Sequence, residues 1–265
     1  MSEQKQLIVN ADDFGYVDDI NAGIVEAHQN GILTAATLMA NGRAFEDAVR
    51  LSHAVPSLDV GAHLVLVQGH SVATGEPLPP TWKELLKALS VRRIDPYREL
   101  KAQVEKIARS GIRPSHFDTH KHTHVIPRVF SAVLRLAREF EVPFIRLPFD
   151  AGWWPGWPME AWYRRRVRRG QLRATDHFCG FQLTGVLQEE SLMGVLNTLR
   201  PGSTELMCHP GYLRAGLAAS PTRLKKSRER ELEALTSPAV RQVLEAQGIM
   251  LTNYRELELS VLTKS

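Results

Sequence analysis

Short apolar runs recur along the chain at intervals of roughly 25–40 residues and alternate with helix-like segments, the rhythm of a parallel sheet or barrel. Leu7 to Asn10 reads as a first strand. Asp18-Asp19-Ile20-Asn21 offers cap chemistry for a helix through His28 that stops near Asn30-Gly31. Thr34 to Met39 is a second strand, Phe45 to His53 a helix ended by Val55-Pro56, and Val60 to Leu66 a third strand with His63 inside it. Gln68 to Pro80, rich in glycine and proline, reads as a long loop over the mouth of the fold.

Farther along, Leu100, Val104, Ile107 and Ala108 mark a helix from Tyr97 to Ser110, closed by Gly111. His116 to His120 is the next strand, and Pro127 to Phe140 the helix after it. Phe144 to Leu147, Glu205 to Cys208 and Met250 to Thr252 complete the strands. The pattern breaks at about 149–170, where Gly152, Pro155, Gly156 and Pro158 punctuate tryptophans and an amphipathic basic helix follows from Met159. No repeat or linker interrupts the rest. The expectation is an α/β fold, a single domain over residues 1–265 forming a distorted TIM-like β/α barrel with a tryptophan- and arginine-rich insertion.

Composition narrows the class. The chain has 265 residues, 43% hydrophobic and 23% charged, ordinary values for a globular protein. Cys179 and Cys208 are its two cysteines and have no CxxC spacing, so neither a disulfide framework nor a structural zinc site is indicated. Met1 to Gln6 lacks the apolar stretch of a secretory signal, and no apolar run has the length of a membrane span, so a cytoplasmic location is expected. The net charge of +4 is concentrated between Trp153 and Gly170, where Arg164, Arg165, Arg166, Arg168 and Arg169 face one acid, Glu160. Trp153, Trp154, Trp157 and Trp162 share that window. Such a mixture suits peripheral contact with the inner membrane surface through Trp153–Arg169, or a homodimer contact, or a plain solvated helix face.

The chemistry is denser elsewhere. Asp118-Thr119-His120-Lys121-His122-Thr123-His124 sets three histidines and a carboxylate in seven residues. Near the N-terminus, Leu7-Ile8-Val9 runs through Asn10-Ala11 into Asp12-Asp13-Phe14-Gly15. Asp12, Asp13, His63, His120, Arg146 and His209 fall within or at the C-terminal ends of predicted strands, which in a parallel barrel converge on one face. Imidazoles and carboxylates gathered there suit a divalent metal and a hydrolytic reaction. Taken singly, Asp12-Asp13 is also a common strand–helix junction, His63 a common buried histidine, and Arg146 a common structural ion-pair partner.

Asn10 to Gly15, Gly61-Ala62-His63, Asp118 to His124 and Met207-Cys208-His209-Pro210-Gly211 together resemble the YdjC-like carbohydrate deacetylases, and the likeness covers most of the chain. The resemblance implies one divalent metal ion (Zn, Mg, Mn, Co or Ni) held by Asp13, His63 and His120, with Asp12 as general base. It implies further that His209 protonates the leaving amine and that Arg146 orients Asp12. His122 and His124 would shape the substrate cleft, with Trp153 and Trp154 as further substrate contacts. Lys121 stands where chitooligosaccharide deacetylases of this family often carry a middle histidine, which points to a different sugar or a longer aglycone. With the tryptophan–arginine segment, that departure resembles the hopanoid-biosynthesis branch, the HpnK-type proteins, whose substrate would be an N-acetylglucosaminyl hopanoid.

Three rivals remain at this level: a deacetylase of soluble chitooligosaccharides, a metal-dependent phosphodiesterase, and a non-catalytic lipid-surface protein. Phosphodiester cleavage often uses two metals, and one ligand set is evident. No nucleic-acid partner is expected, because no RNP, KH, zinc-finger or helix-turn-helix signature accompanies the basic segment.

Overall fold

The computed structural model describes residues 4–150 and 157–262. Its first strand is longer than the hydrophobic run that announces it. β1 (Lys5–Phe14) continues through both aspartates and is buried over its last eight residues. Strand alternation sends Leu7, Val9 and Ala11 outward to the main core under the helices. Ile8, Asn10 and Asp12 take the other face, the inside of the curled sheet. Everything that follows in the chain is arranged around that division.

After β1 come α1 (Asp18–Gln29), β2 (Ala35–Leu38), α2 (Phe45–Ala54), β3 (Asp59–Leu64), α3 (Trp82–Ser90), α4 (Pro96–Arg109) and β4 (His116–Thr119). A 3-10 turn (His120–Val125) leads to α5 (Pro127–Glu139), β5 (Phe144–Ile145), α6 (Trp157–Arg169), β6 (His177–Cys179) and α7 (Glu189–Thr198). β7 (Gly202–Cys208), α8 (Ala215–Ala219), α9 (Lys226–Leu235), α10 (Pro238–Ala246), β8 (Ile249–Leu251) and α11 (Tyr254–Leu262) complete the order. The sheet runs β5-β4-β3-β2-β1-β7-β6, with β8 pairing the first residues of β1. Every named pair is parallel.

The expected TIM-like closure is only approximate. The sheet is a curled half-barrel whose edges meet through isolated bridges, Phe144 with Arg173 and Asp150 with Phe178, rather than a continuous ladder. β5 is correspondingly short. Of the insertion expected at about 149–170, residues 151–156 lie outside the described residues, and the basic helix α6 begins at Trp157.

The interior is layered. At the N-terminal end Ile8, Ala35 and Phe144 pack on Tyr254 and Leu257 of α11, which plugs the bottom. Tyr254 stacks on His116, ring centroids 3.8 Å apart, and above this floor the inward side chains become polar. Helix positions are set by ordinary local chemistry. Asp95 caps α4 by accepting from the Tyr97 amide at 3.0 Å, with Pro96 at the first turn, and Thr81 caps α3. The Gln68–Pro80 loop is pinned rather than loose: buried Glu99 of α4 accepts from the Ser71 hydroxyl and from the amides of Val72 and Ala73. Gly23 lets α1 approach the turn after β7, since a Cβ there would stand 2.5 Å from the Gly211 Cα.

Candidate metal centre and substrate cavity

Two local irregularities turn both aspartates into one cavity. Strict alternation would point Asp12 and Asp13 to opposite faces. A bulge separates Ala11↔Ala36 from Phe14↔Leu38, setting three steps of β1 against two of β2. Asp13 also takes φ +68°, the left-handed region that aspartate tolerates better than most residues. Asn21 fixes the turn beyond it by accepting from the Gly15 amide at 2.7 Å and donating to the Ala44 carbonyl at 3.1 Å.

His63 and Asp118 are register partners on β3 and β4. The His63 Nδ1–H donates to Asp118 Oδ1 at 2.7 Å, while the Thr37 hydroxyl donates to Asp118 Oδ2 at 3.1 Å. In the neutral ring that tautomer leaves the Nε2 lone pair free to face the cavity, the usual arrangement of a metal-binding histidine. Nε2 lies 3.5 Å from Asp13 Oδ1 and 3.2 Å from His120 Nδ1, and the last two atoms are 3.1 Å apart. Asp13 Oδ1 is buried without a hydrogen-bond partner. Donor atoms each about 2.1 Å from one ion stand about 3.0–3.4 Å apart, so these three could hold a divalent cation. Asp12, His63 and Asp118 form a second set by distance, but their atoms are already engaged by Arg146, Thr37 and one another.

Charge supports the first set. Asp12, Asp13, Asp118 and Glu205 face Arg146 and Arg228 in one ion-pair cluster linked through His63, two negative charges in excess when all four carboxylates are ionised. Burial raises the pKa of Asp118 and Glu205 and so reduces that excess. Without a cation, His63 carries part of the burden: burial lowers its pKa, but Asp118, Asp12 and Asp13 raise it to about 9. Burial works against ionised Asp12, yet Arg146 and then His63 hold its carboxyl far below the usual range. Arg228, then His120 and His63, do the same for Asp13.

Arg146 lies just beyond β5 and is buried. Its terminal nitrogens donate to Asp12 Oδ1 at 2.7 Å and Oδ2 at 2.9 Å, and its Nε donates to Glu205 Oε1 at 2.6 Å. Asp118 Oδ2 is 2.6 Å from Nη1. Ser115, His116 and Asn10 form a relay beneath, ending with Asn10 Nδ2 donating to Asp12 Oδ1 at 3.2 Å. His209 Nε2 is 4.0 Å from Asp12 Oδ2, and its own amide donates to Glu231 Oε2 at 2.5 Å. Burial lowers the His209 pKa to about 4 and raises that of Glu231 to about 7.

Asp12, Asp13, His63, His120 and His209 therefore share one cavity of about 650 Å³. Trp82, Lys121, His122, Phe181 and Arg223 belong to its wall. Trp82 Nε1–H donates to the Lys121 carbonyl at 3.0 Å, bracing a turn in which Lys121 and His122 both have φ +53°. His124, expected in the cleft, is not there. It is fully buried, accepts from the Thr119 hydroxyl at 2.6 Å and donates from Nε2 to the Arg146 carbonyl at 3.0 Å, so it braces Arg146 from behind. Trp153 and Trp154 lie outside the described residues.

Asp118, Glu205, Arg228 and Glu231 join the site without having been singled out as site residues from the sequence. Arg228 and Glu231 carried one available signal. They fall on the apolar stripe of α9 marked by Leu232 and Leu235, where charge is out of place. On α6, Arg164 is tied to Glu160 and to the carbonyls of Thr175 and Asp176, while Trp162, Arg165, Arg168 and Arg169 are exposed. Among the described residues no helix is long and apolar enough to cross a membrane.

Fold and site together define a parallel α/β half-barrel with a histidine–carboxylate centre at the C-terminal ends of its strands. Residues 6–246 match the YdjC-like protein family, and the chain belongs to that family. It is 36% identical over 256 residues to a carbohydrate deacetylase of Geobacillus stearothermophilus, covering 94% of this chain and 96% of the relative. A chitooligosaccharide deacetylase of Yersinia enterocolitica is 33% identical over 264 residues, covering 96% and 99%. A solved structure from Enterococcus faecalis V583, described as a candidate cellobiose-phosphate cleavage protein, superposes with TM-score 0.82 at 26% identity over 96% of this chain and 99% of that one. A family 4 carbohydrate esterase of Streptomyces lividans shares the fold at TM-score 0.50 and 12% identity, covering 95% and 92%.

Proposed function

We propose that this chain is a metal-dependent carbohydrate N-deacetylase, a hydrolase of the acetamide bond of an N-acetylglucosamine-type sugar. The observation that carries the reading is the unpartnered, buried Asp13 Oδ1, which converges on His63 Nε2 and His120 Nδ1 inside the cavity. Carbohydrate deacetylases among its relatives support the reaction class. Asp13, His63 and His120 would hold the ion, and Zn²⁺, Mg²⁺, Mn²⁺, Co²⁺ and Ni²⁺ all bind such donors. Bound there, a divalent ion supplies Lewis acidity toward a carbonyl oxygen and toward water.

The rest of the chemistry belongs to side chains. Asp12 is the general base: Arg146 keeps it ionised and aimed, leaving lone pairs to take a proton from the attacking water. His209 faces Asp12 and donates to the departing amine. Its low pKa makes it neutral at rest, so the proton it delivers must first reach it. Asp12 Oδ2 is 4.0 Å away, beyond direct hydrogen-bond reach, so it would pass the proton on through one bridging water. Trp82 and Phe181 give the sugar apolar walls, with His122 beside Phe181 at 5.2 Å between ring centroids.

For the aglycone we favour a lipid, as in an N-acetylglucosaminyl hopanoid. Exposed Trp162 together with Arg165, Arg168 and Arg169 on α6 supports peripheral contact with an anionic membrane. The Yersinia relative favours the second reading, soluble chitooligosaccharides.

Acetate release from N-acetylglucosamine oligomers and from N-acetylglucosaminyl lipid tests the whole. Chelator should abolish it, and metal-loaded Asp12→Asn should be inactive. Full activity of that variant would reject the base assignment, and turnover of phosphodiesters alone would reject the reaction. Binding to anionic liposomes should weaken in Arg165→Glu/Arg168→Glu/Arg169→Glu; unchanged binding removes the membrane role of α6.

A further inference from the structure

We infer that Arg228 of α9 is a positioning residue that decides how Asp13 meets its metal ion; this rests on the metal-dependent reading above. The two oxygens of Asp13 have separate fates. Oδ1 faces His63 and His120 with no hydrogen-bond partner. Oδ2 is ion-paired to Arg228 Nη2.

Arg228 is 1% exposed. Its Nε donates only weakly, at 3.3 Å, to the Leu224 carbonyl one turn earlier in the chain. Nη1 is buried with no partner. Asp13 supplies the one ion pair the guanidinium makes among the described residues. A cation taken out of water for a single carboxylate is a poor stabilising device. Merely tying α9 to β1 would be served as well by an apolar contact of the same size. The arrangement makes sense when the carboxylate has a second task.

Two consequences follow from the pairing. Held by Arg228, Oδ2 is kept from turning beside Oδ1, so Asp13 offers the ion one oxygen rather than two. The guanidinium charge also draws electron density from the carboxylate, making Asp13 a weaker donor. Both effects leave an ion bound at this site open to further oxygen ligands and strongly polarising, at some loss of affinity. Helix α9 thereby serves both sides of the cavity. Arg228 fixes Asp13, and Glu231, three residues on, fixes the His209 main chain.

Co²⁺ binding and turnover in Arg228→Met and Arg228→Lys test the assignment. In Arg228→Met the freed Oδ2 joins Oδ1, so the visible Co²⁺ bands should weaken as the coordination number rises. Co²⁺ affinity should increase, since the ion gains a second carboxylate oxygen and loses a nearby cation, while kcat falls about tenfold or more with little change in KM. Arg228→Lys, which keeps the charge and an N–H, should retain the wild-type spectrum and most of the turnover. A purely structural tie predicts otherwise: affinity, turnover and thermal stability falling together with the spectrum unchanged. That result would overturn the inference. If Arg228→Met does not fold, Arg228→Gln carries the same test, with tighter Co²⁺ binding expected and weaker or equal binding contradicting it. Wild-type protein that binds no Co²⁺ would instead overturn the metal reading itself.

Discussion

The Arg146 guanidinium grips both oxygens of Asp12, at 2.7 and 2.9 Å, across an interior from which water is largely excluded. The same group meets Asp118 and Glu205, so three carboxylates depend on one cation. Removing one partner from a buried ion cluster costs about 3–5 kcal/mol, because the uncompensated charges remain. Arg146→Met should therefore lose about that much stability in urea unfolding. Arg146→Lys should recover part of the stability but little activity, since lysine cannot bind a carboxylate through two parallel N–H groups.

Asp118 sets the His63 tautomer through a 2.7 Å hydrogen bond. Asp118→Ala frees the ring and removes the acceptor that leaves Nε2 unprotonated. Metal affinity should fall about 10–100-fold, the usual effect of losing such support. Equilibrium dialysis against a chromophoric chelator measures it. Unchanged affinity would mean that His63 is oriented by packing alone.

His63 also ties metal binding to pH. Its metal-free pKa of about 9 lies above the ordinary histidine value, so the folded state holds a proton that the unfolded chain releases more readily. The stability this contributes is complete below about pH 6.5 and drains away as pH rises through about 9. Metal-free protein should accordingly become less stable across that window in thermal melts. At pH 7 a bound cation displaces the proton, and calorimetry in buffers of different ionisation enthalpy should detect its release. Asp12 and Asp13 work in the opposite direction: their depressed pKa values give stability that is lost only as pH falls below the ordinary carboxylate range.

Much of this site was legible in the sequence because strand ends in a parallel sheet share one face. Asp12, Asp13, His63, His120, Arg146 and His209 do gather there. What escaped depended on tertiary contact. Lys225-Lys226-Ser227-Arg228-Glu229-Arg230-Glu231 looks like a solvated helix face, and apart from their spacing to Leu232 and Leu235 nothing in the sequence separates the two buried charges from their more exposed neighbours. The bulge that turns Asp13 inward has no local composition to mark it. His122 and His124 look alike in sequence, yet a turn with two left-handed residues sends one to the cavity and the other under Arg146. Sheet closure was overestimated because an even βα rhythm does not report how short β5 is, and the three-residue β6 was too short to be read as a strand at all.

Trp82 closes one side of the cavity and holds the Lys121 carbonyl at 3.0 Å. Trp82→Phe keeps an aromatic wall but removes that hydrogen bond, and Trp82→Ala removes both. A stacking contribution of about 0.5–1.5 kcal/mol corresponds to about a 2–12-fold rise in KM for Trp82→Ala. Trp82→Phe should lie between it and wild type. Equal KM values in all three would take Trp82 out of the substrate's path.

Anomalous scattering from a Zn²⁺-loaded crystal addresses the metal centre most directly. The expected result is one peak about 2.0–2.2 Å from Asp13 Oδ1, His63 Nε2 and His120 Nδ1, and no peak in a His63→Ala crystal. A peak between Asp12 and Asp118, or none near these side chains in wild-type protein, would contradict the proposed metal centre and the chemistry built on it.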